Sequence, residues 1–220
     1  IILAVGDAIE FAHENQVLHL DIKPDNILVN RNGACKVSDF GVSELADAQG
    51  FRKASGGTIG YMPPEQMNSQ ELDERTDEFA LAAVVYEILT GKRPFAARSL
   101  NASAALIQKF DVTPPSALRP DLDPGIDSVL FTALSPDPDD RYDSVADFLA
   151  ALMPYLGNPA QGSRRLREIV QVDDEIVEEE SSIPKKRGLL ERVSPRLGFV
   201  AGRIIAAALC WWLSTSALFN

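Results

Sequence analysis

Three short clusters in the first third of the chain combine residue types that could act on a charged substrate. They are residues 19–26 (HLDIKPDN), Asp39-Phe40-Gly41, and residues 57–65 (GTIGYMPPE). Aspartate carboxylates and an asparagine amide offer the oxygen ligands that Mg²⁺ prefers, and a lysine beside them offers positive charge. Any one of these residues alone is better explained as a turn or cap residue. Their ordered occurrence together favours a chemical site.

Short secondary-structure elements must hold these clusters in place. Apolar residues at helical spacing from Ile2 to Val17 predict one amphipathic helix before Leu18. Two β-branched runs, 26–30 and 34–38, are separated by Asn-Arg-Asn-Gly, which predicts a β-hairpin between the first two clusters. Residues 39–65 are rich in Gly, Ser and Pro, which predicts a long ordered loop of the kind that usually carries function.

The rest of the first 156 residues predicts helices. One runs from about Thr76 to Thr90 and ends at Gly91, and its apolar residues lie nearly all round, so we expect it to be buried at the centre of the domain. Further helices are predicted near 100–110, 124–134 and 143–153, with prolines between them.

The three clusters together resemble the catalytic loop, the metal-binding turn and the end of the activation segment of eukaryotic-like, bacterial-type Ser/Thr protein kinases. They occur in that order, with 18 residues from Asp21 to Asp39 and 26 from Asp39 to Glu65. Residues 77–81, 91–95 and 140–142 also resemble the family. The resemblance covers about residues 1–153 and implies a mainly α fold, the kinase C-terminal lobe with small β-hairpins.

This resemblance implies transfer of the γ-phosphate of ATP to a protein Ser or Thr hydroxyl. Asp21 stands where the family places the carboxylate that accepts the hydroxyl proton. Lys23 would neutralise the transferred phosphoryl group, and its position two residues after Asp21 is the Ser/Thr pattern. Thr58 is expected to bridge Asp21 and Lys23.

The same resemblance implies an ATP site with Mg²⁺. Asn26 and Asp39 would supply the oxygen ligands of the metal ion. Leu28 falls where the family places the floor of the adenine pocket, and Lys23 would contact the nucleotide phosphates.

Other matching residues are interpreted as structural. We expect His19 to pack under Phe40 as a buried brace and not to act as a general base. Glu65 and Arg141 are expected to form a buried ion pair that fixes the activation segment. Asp77 is expected to accept backbone hydrogen bonds from the catalytic loop.

The sequence departs from the family in two places. Leu20 stands where regulated kinases carry an Arg that pairs with a phosphorylated loop, so phosphorylation of Ser43 or Ser55 is not expected to be an obligatory activating step. There is also no Gly-rich nucleotide loop, no β-strand Lys in a V-A-I-K context and no helix supplying its Glu partner. We therefore expect an N-terminally truncated kinase that is inactive alone, with residues 56–60 belonging to the peptide-binding loop.

Composition excludes several function classes. The chain has 220 residues and a net charge of −11, which argues against nucleic acid as a partner because such binding requires a basic face. Two cysteines cannot provide a disulfide framework, and two histidines exclude a His-rich metal site.

The composition changes after residue 156. Residues 157–198 contain acidic and basic blocks and predict a charged juxtamembrane linker. Residues 199–219 form an apolar stretch interrupted by Arg203, long enough to predict a single transmembrane helix. The basic block on its N-terminal side would place the lobe at the cytoplasmic face of the cell membrane. A soluble docking helix and an interfacial helix remain alternatives.

Two other hypotheses remain open for the whole chain. The chain could be a non-catalytic, pseudokinase-like membrane-anchored binding module, although such a module has no chemical need for Asp21, Lys23, Asn26 and Asp39 together. A structural membrane tether would account for residues 157–220 but not for the three clusters.

Overall fold

The computed structural model describes residues 1–30, 32–40, 44–46, 52–54 and 58–157, together with residues 162, 164 and 166. The helices are α1 (Ile2–Glu14), α2 (Pro64–Met67), α3 (Glu74–Thr90), α4 (Leu100–Gln108), α5 (Pro115–Leu118), α6 (Gly125–Ala133) and α7 (Val145–Leu152). The strands are β1 (Ile27–Val29), β2 (Cys35–Val37), β3 (Glu44–Ala46) and β4 (Arg52–Ala54), and 3₁₀ turns occur at Pro24–Asn26, Pro138–Asp140 and Met153–Tyr155.

Helix α3 is the centre of the fold, as predicted from its apolar residues. Every residue from Thr76 to Tyr86 is buried, and the helix packs against α1, α5, α6 and α7. The Asp73 side chain caps its first turn by accepting from the backbone N–H of Arg75. The helix ends at Gly91, whose φ of 72° is the left-handed conformation that favours glycine at this position.

The predicted hairpin between the first two clusters is confirmed. Strands β1 and β2 pair antiparallel with Leu28 opposite Lys36, and the Asn30 side chain accepts hydrogen bonds from the backbone of Asn32 and Ala34 inside the turn. Because β1 begins directly after residues 19–26 and β2 ends two residues before Asp39, the hairpin brings the first two clusters to the same end of a two-stranded ribbon.

The prediction of one continuous loop over residues 39–65 is wrong in part. Strands β3 and β4 pair antiparallel within it, with Leu45 opposite Lys53, and α2 begins at Pro64. Strands of three residues are too short to show a periodic hydrophobic pattern, which usually needs four residues or more. The helices α2 and α5 contain four residues each, about one turn, which is too short to show a helical repeat of apolar residues.

In the part of the chain that the structure describes, no helix is long and apolar enough to cross a membrane. The predicted transmembrane segment 199–219 and nearly all of the predicted linker 157–198 lie outside the described residues.

Candidate active site

The loop from α1 to β1, residues 15–26, is held by one buried carboxylate on α3. Asp77 accepts hydrogen bonds from the backbone N–H groups of His19 and Leu20, each at 2.7 Å, and from the His13 ring at 2.8 Å. The Gln66 side chain donates to the Leu20 carbonyl at 2.7 Å. Leu20 has a φ of 64°, an uncommon conformation for a branched residue, and these bonds fix its backbone on both sides. The predicted role of Asp77 as the backbone acceptor is confirmed.

His19 connects this loop to the turn that contains Asp39. Its Nε2 lies 2.9 Å from the Ser38 carbonyl, and its Nδ1 accepts from the backbone N–H of Asp21 at 3.3 Å. Its ring is 99% buried and lies 4.6 Å from the Phe40 ring, centroid to centroid. The predicted brace is therefore confirmed, and both ring nitrogens are engaged in holding backbone.

Asp21 forms hydrogen bonds with the other two predicted catalytic side chains, Lys23 and Thr58. Lys23 Nζ lies 2.5 Å from Asp21 Oδ2, and Thr58 Oγ1 donates to Asp21 Oδ1 at 3.2 Å. The Asn26 amide donates to the Asp21 carbonyl at 2.8 Å and to Oδ2 at 3.3 Å. Asp21 itself thus joins Thr58 to Lys23, and among the described residues no hydrogen bond runs directly between Thr58 and Lys23. The Asp21 side chain is 33% exposed, so its carboxylate is accessible from solvent.

Asn26 and Asp39 are brought close by backbone pairing. The Ser38 N–H and hydroxyl donate to the Asn26 carbonyl at 2.9 and 3.2 Å, which places Asp39 one residue from this contact. Asp39 has a φ of 60°, which turns the chain sharply at this position. Within the described ranges, neither the Asn26 amide oxygen nor the Asp39 carboxylate has a hydrogen-bond partner. Two unengaged oxygen groups on neighbouring segments fit the oxygen ligands that Mg²⁺ prefers. Two protein ligands would leave the other coordination positions of the ion to phosphate oxygens and water.

The described residues contain no cluster of three or more His, Cys, Asp or Glu side chains that could hold a metal ion by themselves. The predicted pair, one carboxylate and one amide, is smaller than such a cluster. The role of Asn26 and Asp39 as metal ligands stays a prediction.

Leu28 occupies the middle of β1, and 45% of its surface is exposed. Leu28 follows Asn26 by two positions along the chain. Its predicted role under the adenine ring stays a prediction.

The predicted ion pair between Glu65 and Arg141 is confirmed. The guanidinium binds the carboxylate with two bonds of 2.8 and 3.0 Å, and both side chains are buried. Arg141 also donates to the carbonyl oxygens of Arg75, Ser135 and Pro136, and its guanidinium lies over the Phe79 ring at 4.8 Å. A bidentate pair with all donors satisfied joins α2, α3 and the turn before α7.

Several site residues were not predicted from the sequence. Gln66 holds the Leu20 carbonyl, and the Tyr61 hydroxyl donates to the Glu87 carboxylate. Burial raises the pKa of the Tyr61 hydroxyl far above its usual value, so it stays a donor at physiological pH. The only sequence clue to Gln66 is its place directly after Glu65. His13 could have been suspected because a histidine on the apolar face of a helix needs a polar partner.

Some predicted features lie outside the described residues. These are Gly41 of the second cluster, the possible phosphorylation sites Ser43 and Ser55, and Gly56 and Gly57 of the predicted peptide-binding loop. Thr58 and Gly60 are described, and Gly60 has a positive φ of 96°.

Comparison with known proteins agrees with this geometry. Residues 1–151 match the family described as protein kinase domain. The chain is 38% identical over 157 residues to the serine/threonine-protein kinase PknB of Mycolicibacterium smegmatis, an alignment that covers 70% of this chain and 25% of the relative. It is 39% identical to the serine/threonine-protein kinase Pkn1 of Myxococcus xanthus, covering 75% of this chain and 25% of the relative. For PknB of Mycobacterium tuberculosis (strain H37Rv) the identity is 34%, with 76% and 28% covered.

The chain spans about a quarter of the length of these relatives. Its match to the family model covers well over half of its own residues and includes all three clusters. The chain belongs to the protein kinase domain family and is similar to bacterial Ser/Thr protein kinases.

Proposed function

We propose that residues 1–156 form the larger lobe of a Ser/Thr protein kinase that transfers the ATP γ-phosphate to protein hydroxyls. The observation that carries this proposal is the arrangement around Asp21. Its carboxylate receives Lys23 on one oxygen and Thr58 on the other, and within the described residues the Asn26 amide oxygen and the Asp39 carboxylate have no hydrogen-bond partner. The relatives named serine/threonine-protein kinase support the same assignment.

Each of the residues around Asp21 would have a separate role in phosphoryl transfer. Asp21 would orient the substrate hydroxyl and accept its proton, and Thr58 would hold the Asp21 carboxylate in position. Lys23 would balance the negative charge that develops on the transferred group. Bound Mg²⁺, held by Asn26 and Asp39, would screen the charge of the ATP phosphates. Leu28 would contact the base of the nucleotide.

Because the chain is a quarter of its relatives' length, activity is proposed for the complete product of the gene and not for the 220 residues alone. The test is transfer of radiolabelled phosphate from ATP to a generic acceptor protein, followed by phosphoamino-acid analysis. We expect label on Ser or Thr, and a loss of about 10²–10⁴-fold in Asp21→Asn. Asp7→Asn, on the exposed side of α1, is the matched control and should retain activity.

Two outcomes would overturn this proposal. One is absence of magnesium-dependent transfer by the complete protein, and the other is equal activity of Asp21→Asn and Asp7→Asn. The first outcome would favour the alternative of a non-catalytic, pseudokinase-like binding module. Label found on tyrosine would overturn the assignment of acceptor class.

We also propose that residues 199–219 form a single transmembrane helix, with residues 157–198 as a linker and the lobe at the cytoplasmic face of the membrane. The support is an apolar stretch of sufficient length, with Lys185, Lys186, Arg187, Arg192 and Arg196 all on its N-terminal side. The test is resistance of the membrane-bound protein to carbonate extraction. Deletion of 199–220 should abolish this resistance, and full release of the intact chain by carbonate would contradict the proposal.

A further inference from the structure

Residues 58–61 form a tight turn in the segment that leads into α2. The Tyr61 N–H donates to the Thr58 carbonyl at 3.1 Å, which closes a four-residue β-turn. Gly60 is the third residue of this turn and has a φ of 96°, whereas Ile59 is not among the described residues with a positive φ. These features define a type II turn, which requires a positive φ at its third position.

Both ends of the 58–61 turn are held by side-chain hydrogen bonds. Its first residue, Thr58, donates from Oγ1 to Asp21 Oδ1 at 3.2 Å. Its last residue, Tyr61, is buried, and its hydroxyl donates to the Glu87 carboxylate on α3. Neither of these bonds involves the central peptide of the turn. The turn therefore needs a further contact if its middle is to be fixed as well as its ends.

Arg93, in the loop after α3, supplies that contact. Its Nη1 donates to the Ile59 carbonyl at 3.1 Å, and no backbone N–H of the described residues donates to this oxygen. A Cβ placed at Gly60 would lie 3.4 Å from Arg93 Cδ, so the aliphatic part of the side chain lies directly against the turn. The guanidinium carbon lies 6.0 Å from the centre of the Tyr61 ring, within the range of a cation–π contact.

The contacts of Arg93 are specific to the turn. In the described part of the chain, its side chain makes no ion pair, and its one hydrogen bond goes to Ile59. The neighbouring Lys92 is also exposed, but its side chain forms neither a hydrogen bond nor an ion pair with any described residue. Ordering a short turn costs conformational entropy at each of its residues, and a side chain that touches three consecutive residues opposes this cost.

We propose that Arg93 is a positioning residue, which holds the 58–61 turn closed and thereby keeps the Thr58 hydroxyl on Asp21. This inference rests on the proposed function, because it assigns a role in the transfer step at Asp21. Arg93 acts through the turn and not on the reacting groups. Without the guanidinium, the Ile59 carbonyl is left to water, the turn opens more often, and Thr58 then leaves Asp21 for part of the time.

The first test is steady-state phosphoryl transfer by the complete protein carrying Arg93→Met. This variant keeps an unbranched side chain against Gly60 and removes the guanidinium. We expect kcat at saturating acceptor protein to fall by about fivefold, with little change in the KM for ATP. Lys92→Met is the matched control, because it removes the adjacent exposed cation, and it should retain the kcat of the natural sequence.

A double-mutant cycle separates positioning from a general loss of stability. Thr58→Val already lacks the hydrogen bond to Asp21, so adding Arg93→Met to it should lower kcat by less than about twofold further. A residue that acts only on stability would give the same loss in both backgrounds. Equal losses in the two backgrounds, or an unchanged kcat in Arg93→Met alone, would overturn the proposal.

Amide hydrogen exchange tests the turn without any transfer reaction. In the complete protein, Arg93→Met should accelerate exchange in the peptide covering residues 58–64 by about fivefold or more, because the Tyr61 N–H closes the turn. Lys92→Met should leave this exchange unchanged. Unchanged exchange in Arg93→Met would overturn the proposal. Faster exchange in a complete protein that transfers no phosphate would overturn the proposed function alone and support the hold of Arg93 on the turn.

Discussion

Asp77 and His19 are joined by a hydrogen bond of 2.7 Å from the His19 backbone N–H to Asp77 Oδ2, although 58 positions separate them in the sequence. The same carboxylate accepts from Leu20 and from the His13 ring. Helix α3 thus fixes the backbone immediately before Asp21, and the position of the proposed base depends on one fully buried side chain.

Replacement of Asp77 by Asn should destabilise the lobe by about 1–3 kcal/mol, because an amide turns one acceptor oxygen into a donor facing a buried N–H group. Urea denaturation of the whole chain measures this difference. Asp7→Asn, at an exposed position of α1, should change the free energy of unfolding by less than about 0.5 kcal/mol. Equal stability of the two variants would show that Asp77 does not support the loop.

Glu65→Gln should cost roughly 3–5 kcal/mol, because it leaves the buried Arg141 guanidinium without its counter-charge. The matched control is Asp121→Asn, which makes the same chemical change opposite Arg119 at the surface and should cost at most about 1 kcal/mol. Both changes in the free energy of unfolding are obtained from denaturant midpoints at neutral pH. A similar small cost for both variants would contradict a structural role for the buried pair.

Glu78 should make stability fall as pH rises. Burial raises the pKa of this carboxyl to about 8, and one of its oxygens accepts from the Tyr142 N–H while the other has no partner among the described residues. The folded state binds the proton more tightly than the unfolded state, so stability is full below the ordinary carboxyl pKa and is lost progressively up to about pH 8.

Denaturation at pH 6 and pH 8.5 should show a loss of roughly 1–3 kcal/mol at the higher pH in the natural sequence. Glu78→Gln should remove most of this difference because the amide does not titrate. The control variant Glu71→Gln, at an exposed position, should lose as much stability between pH 6 and pH 8.5 as the natural sequence does. A pH profile that is the same in Glu78→Gln and in the natural sequence would show that another group is responsible.

Gly6→Ala should destabilise the contact between α1 and α7. A Cβ at Gly6 would lie 2.4 Å from Leu149 Cδ1, and overpacking of this kind costs about 1–3 kcal/mol. Gly157→Ala meets nothing within 4 Å and is the control. A thermal melt of each variant gives the comparison, and no loss in Gly6→Ala would mean that Leu149 moves away freely.

Thr58→Val should reduce turnover of the complete protein by roughly tenfold or more, because it removes the hydrogen bond that orients Asp21. Thr58→Ser keeps a hydroxyl and should restore most of the rate. Steady-state kinetics with a saturating acceptor protein separate this effect on kcat from an effect on binding. Unchanged kcat in the valine variant would remove Thr58 from the catalytic group.

Much of the lobe could be predicted from the sequence because its patterns are long or carry fixed spacing. The apolar residues of α3 predict a buried helix, and Asn-Arg-Asn-Gly between two β-branched runs predicts the β1–β2 hairpin. The contacts of Asp77 and the pair of Glu65 with Arg141 are implied by the resemblance to the protein kinase family.

The remaining features depend on tertiary contacts that leave no local pattern. Strands β3 and β4 contain three residues each, and the bond from Gln66 to Leu20 joins segments 46 positions apart. The contact of the His13 ring with Asp77 likewise joins the end of α1 to the start of α3, across 64 positions of sequence.

The burial of α3 on all its sides also affects how the chain is made. Helices α5, α6 and α7, which cover much of its surface, are encoded after it, so a ribosome releases α3 before these three helices exist. The middle turns of α3, from Phe79 to Val85, are apolar on every side and gain nothing from contact with water during that interval. Translation of this lobe therefore passes through a stage in which an apolar segment is open to chaperones and to aggregation.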